Sequence, residues 1–124
     1  MKDFRDLKVW EKSHKLTLEI YAVTAGFPRP ELYGLTSQIR RCSASIGANI
    51  AERCGKRGNN EFQRYLQIAS GSASELDYHL LLSRDLGFLP DASYRELAKN
   101  LIEVRKMLTS LLQKIEANRS MAEC

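Results

Sequence analysis

The segment between Tyr94 and Ile115 constrains the fold most, because its apolar residues follow one strict helical period. They recur at alternating spacings of three and four: Tyr94, Leu97, Leu101, Val104, Leu108, Leu111 and Ile115. This spacing places all of these side chains on one face of an α-helix, as in the seam of a helical bundle. A single amphipathic helix is only marginally stable in water, so other parts of the chain must cover this face.

Three further segments show helical periodicity. The inward residues that we predict are Leu7, Trp10, His14, Leu18, Tyr21 and Ala25 in the first helix, Leu35, Ile39, Cys42, Ile46 and Ile50 in the second, and Phe62, Tyr65, Ala69, Ser72, Leu76, Leu80 and Ser83 in the third. Gly26 and Gly87 are each followed by apolar residues and a proline, which predicts that two helices end at a left-handed glycine.

The fold class predicted from these segments is all-α, an antiparallel up-down-up-down four-helix bundle. Its helices should lie near residues 6–25, 35–54, 60–86 and 92–117. One domain should span residues 1–118, and the tail 119–124 should fray. No apolar run approaches the length of about 18 residues that a membrane span needs. The N-terminus also lacks the apolar region of a signal peptide, so we expect a cytoplasmic protein.

Few residues suggest catalysis or metal binding. The three cysteines are odd in number and lack metal-type spacing, so Cys42 and Cys54 are expected to be reduced packing residues. His14 and His79 are far apart in sequence, and His14 is expected to be a packed core residue. We therefore predict no catalytic residue, no cofactor and no metal site, and expect that the protein is not an enzyme.

The distribution of charge is more informative than its total of +4. Between Arg29 and Arg64 there are seven basic and three acidic residues, whereas the rest of the chain has twelve of each. The glycine-rich, doubly basic loop at residues 54–60 leads into a helix N-terminus, where free N–H groups and the helix dipole favour anions. We predict an elongated basic stripe that binds nucleic-acid phosphates, formed by Arg40, Arg41, Arg53, Lys56, Arg57 and Arg64. The alternative is an ordinary solvated surface.

Two further features of the second and third helices suggest assembly. Asn49 and Glu52 lie three residues apart on one helix face. They form either a buried polar pair that fixes an assembly interface or a partly exposed pair with hydrogen bonds near the helix end. The small residues around Gly47 and Gly71 predict close helix packing, either within the bundle or between subunits.

The order of these motifs resembles one known family. The motifs include Phe4-x-x-Leu7-x-x-Trp10, Phe27-Pro28, the run from Glu31 to Arg41, Ser45-Ile46-Gly47-Ala48-Asn49-Ile50-Ala51-Glu52, Leu66-x-Ile68-Ala69-x-Gly71-Ser72-x-x-Glu75-Leu76 and Leu86-Gly87-Phe88-Leu89. Together they resemble the bacterial four helix bundle protein family, whose founding members are encoded in intervening sequences of large-subunit ribosomal RNA genes. The chain departs from the family at Arg53 and Cys54, because the family usually has glycine directly after the residue matching Glu52.

The resemblance implies an antiparallel bundle that assembles as a ring-shaped homopentamer. A distant relative, the accessory variability determinant protein of diversity-generating retroelements, is similar in being a basic pentamer that binds nucleic acid and a reverse transcriptase. The first functional hypothesis is therefore a homo-oligomeric nucleic-acid-binding or scaffold protein, for structured RNA more than DNA, with a ribosomal component or a reverse transcriptase as a further partner. The second is a protein–protein adaptor or assembly module. The third is an enzyme or small-molecule binder.

Overall fold

The fold is known from a computed structural model that describes residues 3–54 and 59–123, without the side chains of residues 59–61 and 119–123. It consists of α1 (Lys8–Thr24), α2 (Leu35–Cys54), α3 (Asn59–Asp85) and α4 (Asp91–Glu123). Short 3₁₀ turns at Phe4–Asp6 and Arg29–Glu31 precede α1 and α2. No strand occurs in these residues. α1 and α3 each pack against both α2 and α4, so the predicted all-α four-helix bundle is confirmed.

The predicted helix boundaries agree with the structure to within one or two residues, except at the C-terminal end. The bounds of α2 match the prediction, and α1 and α3 differ slightly at both ends. α4 continues to Glu123, beyond the predicted end near residue 117. The fraying of residues 119–124 stays a prediction.

The apolar faces predicted for α2 and α4 form most of the core. All five predicted residues of α2 are buried, and from α4 Leu97, Leu101, Val104, Leu108 and Ile115 are buried. The α3 face includes Leu66 and Ala73, both fully buried, which the sequence analysis omitted. Burying a large aliphatic side chain stabilises the fold by roughly 1.5–3 kcal/mol, so these seams hold the four helices together.

The predicted inward face of α1 is wrong. α1 buries Val9, Leu16 and Ile20 together with Ser13 and Thr24, and the two hydroxyl groups donate hydrogen bonds of 2.7 Å to carbonyl oxygens four residues earlier. Because these hydroxyls have hydrogen-bond partners within the helix, burying them costs little free energy. Polar residues therefore occupy buried positions of α1, and the spacing of its apolar residues does not reveal the buried face. The residues predicted to be inward lie toward the surface: Leu18, Tyr21, Ala25 and His14 are exposed, and Leu7 and Trp10 are half-buried. His14 is therefore not a core residue but stacks on the indole of Trp10.

Gly26 and Gly87, the glycines predicted to end α1 and α3, differ in backbone conformation. Gly87 has φ of 81°, and the N–H groups of Gly87 and Phe88 donate to the carbonyls of Arg84 and Ser83, each at 2.9 Å. This is a Schellman arrangement, and it confirms the left-handed glycine predicted at the end of α3. Gly26 is not left-handed, which corrects the prediction, since among the described residues only Gly87 has positive φ. α1 ends instead because Pro28 has no N–H and disfavours a helical conformation at the residue before it.

The cysteines that the structure describes are core residues. Cys42 and Cys54 are free and buried, as expected. Burial, together with the nearby carboxylate of Glu75, raises the pKa of the Cys42 thiol to about 12. Both effects disfavour the thiolate, which is the reactive form of cysteine.

Gly47 and Gly71 have different surroundings. A Cβ atom on Gly47 would lie 3.5 Å from Nε1 of Trp10, so the indole packs directly on the α2 backbone. Phe4 contacts the other side of Trp10, edge to face, with ring centroids 4.9 Å apart. A Cβ atom on Gly71 would meet nothing within 4 Å. Close packing within the chain therefore explains Gly47 but does not explain Gly71.

The first prediction concerns these glycines. Gly71→Ala should raise the free energy of unfolding by about 1 kcal/mol, because alanine is the better helix former and its methyl group meets no other atom. Gly47→Leu should lower it by about 1–3 kcal/mol, because the side chain collides with Trp10. Urea denaturation followed by the fluorescence of Trp10, the only tryptophan, measures both changes. Equal effects of the two substitutions would contradict the assigned environments.

A second prediction concerns Cys42. At pH 8, iodoacetamide should alkylate Cys42 in the folded protein much more slowly than in guanidinium-unfolded protein, because the folded state keeps the thiol protonated and buried. Peptide mass mapping distinguishes Cys42 from the other cysteines. Similar rates in the two states would show that the thiol is accessible.

Candidate nucleic-acid interface

Arg40, the first residue of the predicted basic stripe, holds α1 against α2. Its Nε donates to Oγ1 of Thr24 at 2.9 Å, and its Nη2 donates to the carbonyl of Tyr21 at 3.3 Å. The guanidinium also lies over the Tyr21 ring, 4.7 Å from its centroid. These contacts give Arg40 a structural role, so its replacement would disturb the helix packing as well as the surface charge.

Arg53 is engaged at the opposite end of α2. Its guanidinium lies 5.1 Å from the centroid of the Phe62 ring at the beginning of α3. Its Nε is buried and has no hydrogen-bond partner among the residues that the structure describes. The stacking holds the Arg53 guanidinium against the Phe62 ring of α3.

Arg41 and Arg64 are the basic side chains of the stripe that remain available. Both are exposed, and neither forms an ion pair with another described residue. Lys56 and Arg57 lie outside the described residues. Arg41 and Arg53 are about 18 Å apart along α2, given the helical rise of about 1.5 Å per residue. Among its described residues, the predicted stripe thus contains two cations that form no ion pair, Arg41 and Arg64. The other two, Arg40 and Arg53, contact neighbouring groups of the bundle.

A polar groove between α2 and α3, which the sequence analysis did not predict, lies beside Arg41. This α2–α3 groove has a volume of about 300 Å³ and is lined by Gln38, Arg41, Cys42, Ser45, Ser72 and Glu75. The hydroxyls of Ser45 and Ser72 are hydrogen-bonded across it at 2.9 Å. The groove therefore offers a cation, hydroxyls, an amide and a carboxylate on one surface.

One turn along α3, His79 continues the polar character of the groove. Its Nε2 lies 3.7 Å from Oε2 of Glu75, and its Nδ1 is buried without a hydrogen-bond partner among the described residues. The polar residues recur at helical spacing in the sequence, at Ser45 and Asn49 and at Ser72, Glu75 and His79. That spacing is the sequence signal for the groove, whereas the small residues by themselves predict only close packing.

Asn49 and Glu52, the predicted interface residues, are not joined by a hydrogen bond. The Nδ2 of Asn49 donates to the carbonyl and the hydroxyl of Ser45, at 2.8 and 3.0 Å, and Asn49 is half-buried. Glu52 is exposed. The geometry matches the alternative of local hydrogen bonds within the helix, and a role in assembly stays a prediction.

The structure places few groups where a metal could bind. Glu11 and His14 form one Glu-x-x-His segment on α1, whereas di-metal bundles carry this motif on two helices. Within residues 3–54 and 59–123, no group of three or more His, Cys, Asp or Glu side chains is arranged to hold a metal ion. None of the helices in these ranges contains an apolar stretch long enough to cross a bilayer.

Comparison with known proteins gives the family of this fold. No curated protein matches the chain. A crystal structure from Bacteroides thetaiotaomicron, described as a protein with unknown function from the S23 ribosomal protein family, is similar with a TM-score of 0.76 and 27% sequence identity. The similarity covers 84% of this chain and 97% of that one. The family model of the 23S rRNA-intervening sequence protein matches residues 5–110, which is most of the bundle. The chain therefore belongs to the 23S rRNA-intervening sequence protein family.

Proposed function

We propose that this protein is a non-enzymatic, homo-oligomeric scaffold that binds structured RNA or an RNA–protein complex through the basic surface of α2 and α3. The observation that carries the proposal is that Arg41 and Arg64 are exposed and form no ion pair with a described residue, in the part of the chain that holds the whole net positive charge. Two findings add support: the family is named after the ribosomal RNA intervening sequence, and the B. thetaiotaomicron relative is assigned to a ribosomal protein family.

The chemistry of this surface suits a nucleic-acid backbone. An arginine that is not paired with a carboxylate can form a bidentate contact with a phosphate. Cations spread along a helix match the repeated phosphates of a backbone better than one small anion. The hydroxyl and amide groups of the α2–α3 groove add donors for sugars and phosphates. Such contacts give affinity with little sequence specificity.

The third prediction tests the basic surface with a fluorescently labelled RNA hairpin. Arg41→Ala/Arg64→Ala and Lys56→Ala/Arg57→Ala should each weaken binding and make the plot of log affinity against log salt shallower. The change in slope should be roughly two if both charges touch phosphates, since each contact contributes about 0.7–0.9. Fluorescence anisotropy at several salt concentrations measures it.

The matched control for this experiment is Lys15→Ala/Lys99→Ala. It removes the same charge from exposed residues of α1 and α4. Its slope should stay close to that of the wild type, and all variants should keep the wild-type stability within about 0.5 kcal/mol. If the control lowers the slope as much as the α2 and α3 variants, only net charge matters and the proposed surface is wrong.

Apolar side chains on the surface support the homo-oligomeric part of the proposal. Large apolar residues are exposed on α1, α3 and α4 and on the connection before α2, among them Leu18, Tyr21, Leu32, Tyr33, Ile68 and Ile102. Single exposed apolar residues are common, but residues distributed over several faces fit contacts with more than one neighbour. In a closed ring each subunit has two such neighbours, contacted through different faces.

The fourth prediction is the oligomeric state. Size-exclusion chromatography with multi-angle light scattering at micromolar concentration should give a mass five times that of the chain. A mass equal to one chain would refute homo-oligomerisation. A different multiple would refute the pentamer alone.

The adaptor hypothesis makes a different prediction for the RNA experiment. A protein ligand that binds an apolar surface would show little dependence on salt. If the labelled RNA does not bind, or binds with no change in the salt slope of the Arg41 and Arg64 variants, the adaptor is the better interpretation.

A further inference from the structure

The connection between α1 and α2 presents two apolar side chains to solvent. Tyr33 is 94% exposed, and Leu32 beside it is 47% exposed. We call these two residues the knob. The turn that carries them is well connected, since the N–H groups of Leu32 and Gly34 donate to the carbonyls of Arg29 and Glu31, each at 3.0 Å. A hydrogen-bonded turn therefore exposes the aromatic ring of Tyr33 to solvent.

A mainly apolar groove lies at the same end of the bundle, between α1 and α4. This α1–α4 groove has a volume of about 450 Å³, and its lining residues are Glu19, Ala22, Val23, Ala92, Ser93, Glu96 and Leu97. Its lining combines two alanines, a valine and a leucine with a serine and two carboxylates. Glu19 accepts a hydrogen bond from Asn100 at 3.2 Å, whereas Glu96 forms no ion pair with a described residue.

The knob and the α1–α4 groove are complementary in polarity and in charge. An aromatic side chain buries about 150–250 Å² when it enters an apolar site. Arg29, four residues before Tyr33, is exposed and forms no ion pair with a described residue. The groove that would receive the ring carries Glu19 and Glu96, whose charge is opposite to that of Arg29.

The positions of the two features also suit a ring. Both lie at the end of the bundle where α1 leads into α2 and α3 leads into α4. Rotation about an axis parallel to the bundle keeps this end at the same height in every copy. A knob can then reach only a groove at its own height. The contact joins two different surfaces, and such a contact forms a ring when the rotation between neighbouring copies closes.

We propose that Leu32 and Tyr33 of one copy insert into the α1–α4 groove of the next copy, with Arg29 facing Glu96. The inference rests on the homo-oligomeric assembly proposed above and names its interface. The occupant of the groove is a second copy of this chain, and each subunit gives one knob and receives one.

The fifth prediction uses two complementary variants. The knob variant is Leu32→Ser/Tyr33→Ser, and the groove variant is Ala22→Lys/Glu96→Lys; all four residues are exposed, so the helix content by circular dichroism should not change. Each variant alone should be monomeric by light scattering at a concentration where the wild type assembles. An equimolar mixture should give a heterodimer, because one intact knob and one intact groove remain in the pair.

The control is Tyr78→Ser, which removes another exposed tyrosine, on α3, and should assemble like the wild type. If the wild type assembles and the knob or groove variant assembles equally well, the interface is wrong while homo-oligomerisation stands. If both variants are monomeric but their mixture does not form a heterodimer, the direct contact between knob and groove is also wrong. A monomeric wild type would overturn the assembly itself.

Discussion

The burial of one apolar seam from each helix is the interaction on which the rest of the structure depends. Ile39, Ile46 and Ile50 of α2 belong to the same hydrophobic core as Leu101 of α4, and these side chains are at most 1% exposed. An amphipathic helix of this length has little stability alone, so each helix persists only because the other helices of the bundle cover its seam. This packing also fixes the rotation of each helix, and the rotation decides which polar side chains reach the surface.

Most of the buried hydroxyl groups have partners inside their own helices, whereas Oγ1 of Thr36 has no hydrogen-bond partner among the described residues. Ser13, Thr24 and Ser83 are buried, and each donates to a carbonyl oxygen four residues earlier. Thr24 additionally accepts a hydrogen bond from Arg40, which connects the core to the surface of α2. Local hydrogen bonding thus lets the bundle contain hydroxyls without a separate polar network.

The two grooves have contrasting chemistry and lie on different sides of the bundle. The α2–α3 groove is polar and contains Arg41, whereas the α1–α4 groove is largely apolar with Glu19 and Glu96 at its sides. Because α1 and α3 do not contact each other, these two helix pairs form opposite faces. In the proposed ring a neighbouring copy occupies the α1–α4 groove at one end of the bundle. The basic residues of the opposite face then remain available for RNA.

The helices and the seams of α2 and α4 could be predicted from the sequence, because leucine, isoleucine and valine recur there at the helical period. The sequence could not determine the inward face of α1, where Ser13 and Thr24 take core positions and Leu18 and Tyr21 lie outside. The sequence also identified the basic residues, but it did not show which of them bind neighbouring helices and which remain exposed. Arg40 and Arg41 are adjacent in sequence but point about 100° apart on the helix, so one binds α1 and the other faces the α2–α3 groove. Only the tertiary structure makes that distinction, because it depends on how each helix is rotated against its neighbours.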